Sequence, residues 1–124
     1  MADRKMILLV EDDEFLAELY ATKLNLEGFE VSLATDGEKG LKMVKEIKPD
    51  LLLLDIILPK MDGFELLAAM KKDPDVKDIP VILLTNLSQK DEVKKGLDLG
   101  AKDYLIKAHF MPSEVVKKIK ETIG

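Results

Sequence analysis

The 124-residue sequence contains no cysteine and a single histidine, His109. The first absence excludes disulfides, thiolate metal sites and a cysteine nucleophile. The second excludes any multi-histidine metal site and argues against a serine–histidine triad. No apolar run approaches the ~20 residues of a membrane span. Met6 to Val10 is too short for the apolar region of a signal peptide. The expectation is a soluble cytoplasmic chain with no membrane partner. Repeats, low-complexity stretches and linkers are missing as well, so residues 1–124 read as one domain. No second domain follows Gly124, so output is expected to pass through a downstream protein, unless the chain is a fragment of a larger one. Basic charge is in deficit, with a net charge of −5, which argues against direct binding of nucleic acid. The lysines that are present gather towards the C-terminus and read as solvated helix faces.

What the chain does have is apolar runs that end on acids. The most conspicuous is Leu51-Leu52-Leu53-Leu54-Asp55, followed by Pro59 and Asp62-Gly63. Four leucines are too short for a helix and suit a strand buried on both faces. Met6–Val10 is a second such run, ending on Glu11-Asp12-Asp13-Glu14, and Pro80–Thr85 is a third apolar run, ending on a hydroxyl. Between the strands lie helical spacings. Phe15, Leu16, Leu19, Tyr20, Lys23 and Leu24 mark a helix with Asp13 as N-cap and Gly28 just past its end. Leu41, Val44 and Ile47 mark a second, stopped by Pro49. Phe64, Leu67, Met70 and Lys71 mark a third, ending near Asp73-Pro74. A fourth runs from about Gln89 to Leu99, and a fifth starts at Pro112 with Val115, Val116, Ile119 and Ile123 inward. Phe29–Ala34, with Phe29, Val31 and Leu33 alternating against Glu30 and Ser32, reads as an edge strand. Lys102–Ile106 is a short last strand.

Strand–helix alternation five times over predicts an α/β fold, a parallel sheet with helices on both faces. The three apolar runs belong in the middle and the two mixed strands at the edges. The flavodoxin-like, doubly wound order 2-1-3-4-5 satisfies this, and it places ligands beyond the C-terminal strand ends between strands 1 and 3. Those ends carry Glu11, Asp12 and Asp55. Carboxylates gathered there repel, so one is protonated or a cation sits among them. Oxygen donors alone suit a hard ion, Mg2+ or Ca2+. Thr85 ends the fourth strand and Lys107 follows the fifth, adding a hydroxyl and a compact positive charge. Carboxylate, divalent ion, hydroxyl and lysine together make a phosphoryl-transfer site.

Val10-Glu11-Asp12-Asp13, Asp55-x-x-x-Pro59-x-x-Asp62-Gly63, Thr85 and Lys107, in that order and spacing, resemble the receiver domain of response regulators in two-component signalling. The resemblance covers essentially the whole chain. It implies that Asp55 accepts a phosphoryl group from a sensor histidine kinase or phosphotransfer protein. It implies that Asp12 and Asp55 bind Mg2+ directly, with the backbone carbonyl of Ile57, while Glu11 acts through water. Thr85 would hydrogen-bond the phosphoryl oxygen and Lys107 would pair with it. Tyr104 occupies the aromatic switch position. The face built from helix 4, strand 5 and helix 5 would meet the partner, with Leu87, Val93 and Leu97 as contacts. Such a chain is a switch that catalyses only its own phosphorylation and dephosphorylation, not a turnover enzyme.

Three departures from the family pattern stand out. Ala108 follows Lys107 where the family has a proline in a cis bond, and a cis bond before a non-proline residue costs about 2.5–4 kcal/mol. The loop Ala108-His109-Phe110-Met111 is one residue longer than usual. Ile57 and Leu87, two residues beyond Asp55 and Thr85, are both apolar, which predicts slow loss of the phosphoryl group to water. His109 reads as a loop residue, since a relay histidine sits exposed on a helix. A hydrolase using Asp55 would want a general acid two residues on, where Ile57 stands. A flavodoxin-like cofactor binder would want a Gly- or Ser/Thr-rich loop where Glu11-Asp12-Asp13 stands.

Overall fold

The structure, a computed structural model, describes residues 4–85, 90–107 and 112–123. Among these, strands and helices alternate: β1 (Met6–Val10), α1 (Glu14–Leu26), β2 (Glu30–Ala34), α2 (Gly37–Ile47), β3 (Leu51–Asp55), α3 (Gly63–Lys71), β4 (Val81–Thr85), α4 (Lys90–Asp98), β5 (Asp103–Ile106) and α5 (Pro112–Ile123). The strands form one parallel sheet in the order β2-β1-β3-β4-β5. This is the flavodoxin-like order expected from strand composition.

The leucine run explains why β3 lies at the centre. Side chains alternate across a strand, and Leu51 to Leu54 are all wholly buried. Leu52 and Leu54 pack with Val44 of α2 and with Leu66, Leu67 and Met70 of α3. Leu51 and Leu53 pack on the other face with Ala17, Tyr20 and Leu24 of α1 and with Val115, Val116 and Ile119 of α5. Each leucine so buried contributes about 1.5–3 kcal/mol relative to exposure. A residue at the C-terminal end of this strand is therefore held by packing on both sides of the sheet.

Helix starts are set by aspartates. Asp13 caps α1, its Oδ1 accepting the Leu16 N–H at 3.1 Å. Asp36 caps α2, accepting from Lys39 at 2.8 Å, so Asp36-Gly37 is a helix start. Asp62 caps α3 in a reciprocal box with Glu65.

Two details differ from the sequence reading. Phe15 and Leu19 face away from the core, at 78% and 45% exposure, while Ala17, Tyr20 and Leu24 make the buried stripe of α1. Apolar residues lie on both sides of this helix, so spacing alone does not identify the inner one. Leu33 of β2 is also exposed, because an edge strand is covered by fewer helices than a central one. Helix and strand ends otherwise differ by one or two residues, α3 stopping at Lys71 ahead of Asp73-Pro74.

Gly63 joins the fold to the Asp55 loop. Its N–H donates to the Ile56 carbonyl at 2.8 Å. A Cβ there would strike the Asp55 carbonyl oxygen and stand 2.8 Å from Ile56 Cα. Gly63→Ala is therefore expected to destabilise by about 1–3 kcal/mol, as overpacking does, and to lower the urea unfolding midpoint. An unchanged midpoint would show that the loop yields freely.

Candidate functional site

Strand pairing builds the acidic cluster. Val10 is opposite Leu54, so one further step along each strand brings Glu11 beside Asp55. Asp12 follows Glu11, and one carboxylate oxygen from each of the three lies within 4.8 Å of the others. Glu11 and Asp55 are buried, at 1% and 5% exposure, and Asp12 is at the surface. Like charges about 4 Å apart repel by about 4 kcal/mol at an effective dielectric of ~20. An arrangement of this kind requires positive charge.

Part of that charge is Lys107. It stands just beyond β5, two strands from β3, and its Nζ reaches 2.7 Å from Asp55 Oδ2 and 2.7 Å from Glu11 Oε1. Burial pulls its ammonium down, but Asp55 and then Glu11 outweigh this and leave it above the ordinary lysine range. Burial raises the Glu11 carboxyl; Lys107 pulls it back and Asp55 pushes it further up. Asp12 is raised by partial desolvation and by Glu11. The second Glu11 oxygen accepts the Asp13 N–H at 3.2 Å, which ties the cluster to the first turn of α1.

One lysine does not balance three carboxylates. With all three ionised, two negative charges remain, which matches a divalent cation. The donors are hard oxygens with no nitrogen or sulfur ligand among them, the set that suits Mg2+. Glu11, Asp12 and Asp55 thus fit a magnesium ion on charge and on donor chemistry.

Thr85 and Tyr104 sit on the neighbouring strands. Thr85 is the last residue of β4, one beyond Leu84, the partner of Asp55, and is buried at 1% exposure. Tyr104 is opposite Leu83, so Thr85 and Tyr104 share a face of the sheet as diagonal neighbours. Tyr104 is 36% exposed, a ring half in and half out. Ile57, two residues beyond Asp55, is 59% exposed. Leu87, Ala108 and His109 lie outside the described residues, and with them the geometry of the Lys107–Ala108 bond and of the loop before Pro112.

Three residues near the site were not singled out by sequence reasoning. Tyr20 reads as helix core, and it is 1% exposed. Burial, and then the negative charges of Glu11, Asp55 and Asp13, hold its phenol well above the ordinary range. Asp36 and Lys60 meet at 3.8 Å beside the Asp55 loop. The Asp-Gly pair at 36–37 was a visible signal, but nothing in the sequence paired it with Lys60.

The Lys107 contact is testable without any ligand. Lys107→Met is expected to cost about 2–4 kcal/mol. Breaking a fully buried pair costs about 3–5 kcal/mol, and the Lys107 side chain keeps 20% exposure. Adding Glu11→Gln to Lys107→Met should recover part of the loss in a double-mutant cycle. Strictly additive effects would mean that the two groups do not interact.

A family model described as the response regulator receiver domain matches residues 7–120. The DNA-binding dual master transcriptional regulator RpaA of a Synechocystis strain is 38% identical over 114 residues, covering 92% of this chain and 47% of that protein. A CheY-like response regulator receiver domain protein from Methanospirillum hungatei superposes with a TM-score of 0.89 at 31% identity, covering 98% of this chain and 94% of that one. The receiver domain of a sensor histidine kinase from Pseudomonas aeruginosa, described with a magnesium ion coordinated in its active site cleft, has a TM-score of 0.89 at 27% identity, covering 98% and 99%. The chain spans about half the length of the curated relatives it matches.

Proposed function

The chain belongs to the receiver-domain family of response regulators in two-component signalling, and on that premise we propose that Asp55 is its phosphoryl acceptor. The observation that carries this is the buried Asp55 carboxylate, gathered with Glu11 and Asp12 and paired with Lys107 at 2.7 Å. The donor is a phosphohistidine of a sensor histidine kinase or phosphotransfer protein. An Asp55 oxygen attacks phosphorus in line, the phosphorus–nitrogen bond breaks, and the imidazole leaves with its electron pair. Little other chemistry is needed from the protein, because such transfers are driven by positioning and charge neutralisation.

Asp12 and Asp55, with the backbone carbonyl of Ile57, would hold Mg2+ directly, and Glu11 through water. When bound, the ion neutralises charge on the phosphoryl oxygens. Lys107 supplies the second positive charge and Thr85 a hydroxyl donor. Once Asp55 is modified, its carboxylate charge is replaced by a phosphoryl group carrying about −1.5 to −2 and three strong acceptor oxygens, a net gain of about −0.5 to −1 at this rim. Thr85 is drawn towards them, Tyr104 turns into the space behind it, and the α4–β5–α5 face changes to suit a downstream protein. Leu97, 39% exposed, and Tyr104 are the apolar contacts on offer, with half-buried Val93 beside them. We read residues 1–124 as one receiver domain acting as a switch and not as a turnover enzyme. On this reading the receiver domain binds no nucleic acid directly and no membrane, and the cytoplasm is its place.

Incubation with a small-molecule phosphodonor and Mg2+ should give a single phosphoryl adduct in intact-mass measurement. Asp55→Asn should give none. An adduct of equal yield in that variant would overturn the assignment.

The apolar, exposed Ile57 side chain limits how water is held near an acyl phosphate. Ile57→Asn, which supplies a donor and an acceptor there, is expected to shorten the phosphoryl lifetime about tenfold, equivalent to about 1.4 kcal/mol of barrier. A lifetime equal to that of the parent would sink the idea.

A further inference from the structure

The loop from Asp55 to α3 contains one backbone outlier. Lys60 has φ 69°, in a region that costs a residue with a Cβ about 1–3 kcal/mol. The Met61 N–H donates to the Pro59 carbonyl at 2.8 Å, so Lys60 is the centre of a three-residue turn of the strained hand. Such a turn persists only where its surroundings determine it. Here the surroundings are the first turn of α2. The Gly37 N–H donates to the same Pro59 carbonyl at 3.3 Å. Gly37 also lets the Met61 carbonyl approach so closely that a Cβ at 37 would collide with it. Asp36, buried at 7% exposure, uses one oxygen to cap α2 and turns the other towards Lys60 Nζ at 3.8 Å. The far end of the loop is fixed by the Gly63 N–H on the Ile56 carbonyl.

We propose that the N-terminal turn of α2, Asp36 with Gly37, is a positioning element for the metal site: it pins the strained turn at Lys60 and so fixes the loop that carries the Ile57 carbonyl. This rests on the reading of Asp12, Asp55 and the Ile57 carbonyl as Mg2+ ligands. Neither Asp36 nor Gly37 touches the ion; both act through the loop. A loop left free to sample other turns is competent for the ion only part of the time, and its apparent affinity falls by that fraction.

The test is direct Mg2+ titration by calorimetry, without phosphodonor, beside the metal-free melting temperature. Parent, Asp12→Asn, Gly37→Ala and Lys60→Gly are compared. Asp12→Asn should weaken Mg2+ at least tenfold. Gly37→Ala, which must displace the Met61 carbonyl, should weaken Mg2+ three- to tenfold. Lys60→Gly removes the Cβ that makes a positive φ costly and also removes the ion pair. It should keep a melting temperature within a few degrees of the parent while weakening Mg2+ about threefold. That separation of affinity from stability is the signature of positioning. Should Gly37→Ala not fold, Lys60→Gly alone decides the matter. Parent-like Mg2+ affinity in Lys60→Gly, with Asp12→Asn weakened, overturns the positioning role and leaves the metal site standing. Parent-like affinity in Asp12→Asn overturns the metal reading and the positioning role with it.

Discussion

The constraint on which the rest depends is the confinement of three carboxylates at one edge of an apolar sheet. Glu11 and Asp55 are out of water because β1 and β3 are packed on both faces, and strand pairing puts them side by side. Left alone they would repel strongly enough to threaten a domain whose whole stability is about 5–15 kcal/mol. The chain meets this with a lysine from beyond β5, which contacts both buried acids at 2.7 Å. Sheet order is therefore a chemical requirement as well as a topological one. Only with β1, β3, β4 and β5 adjacent in that sequence do Glu11, Asp55, Thr85 and Lys107 share one rim.

The parts legible in the sequence were those governed by local rules. Runs such as Leu51–Leu54 have a single plausible reading, and helix caps such as Asp13 follow from side-chain chemistry within three residues. The strand order followed from which runs were apolar enough for the middle, and the candidate acids and Thr85 followed from where those runs stop. Harder were features in which two distant segments decide together. The outer position of Phe15 and Leu19 depends on which side of α1 meets the sheet, and the helix is apolar on both. The Glu11–Lys107 pair spans nearly the whole chain. The strained turn at Lys60 is not signalled by its residue type, because glycine or asparagine is the usual mark of a positive φ. It exists because α2 arrives beside it.

That turn links α2 to the chemistry more closely than its place over β1 and β2, beside α3, suggests. A side chain is aimed by its rotamer and packing, but a backbone carbonyl is aimed only by the course of the chain. Asp55 ends β3, and Asp12, two residues past β1, is still aimed by its side chain beside the capped start of α1. A carbonyl two residues past a strand has no such support and must borrow it. Here the lender is a helix start, which already has N–H groups without partners in the helix and therefore has one to spare for Pro59.

The same economy sets a limit on the proposed switch. Moving a two-state equilibrium from 1:99 to 99:1 takes about 5.5 kcal/mol of differential binding. A hydrogen bond to a charged group contributes about 1.5–3 kcal/mol net, so a full contact from each of Thr85 and Lys107 would give about 3–6 kcal/mol. Lys107, however, does not start uncommitted. It is already paired with Glu11 and Asp55, and whatever it gains from a phosphoryl group is offset by what it gives up there. Its differential contribution is smaller than a new contact would be, and the same holds for Thr85, which is likewise already engaged. Modification of Asp55 alone then shifts the population without saturating it. The remaining free energy comes from the partner that binds the shifted face, and by linkage that partner must favour the modified form in equal measure.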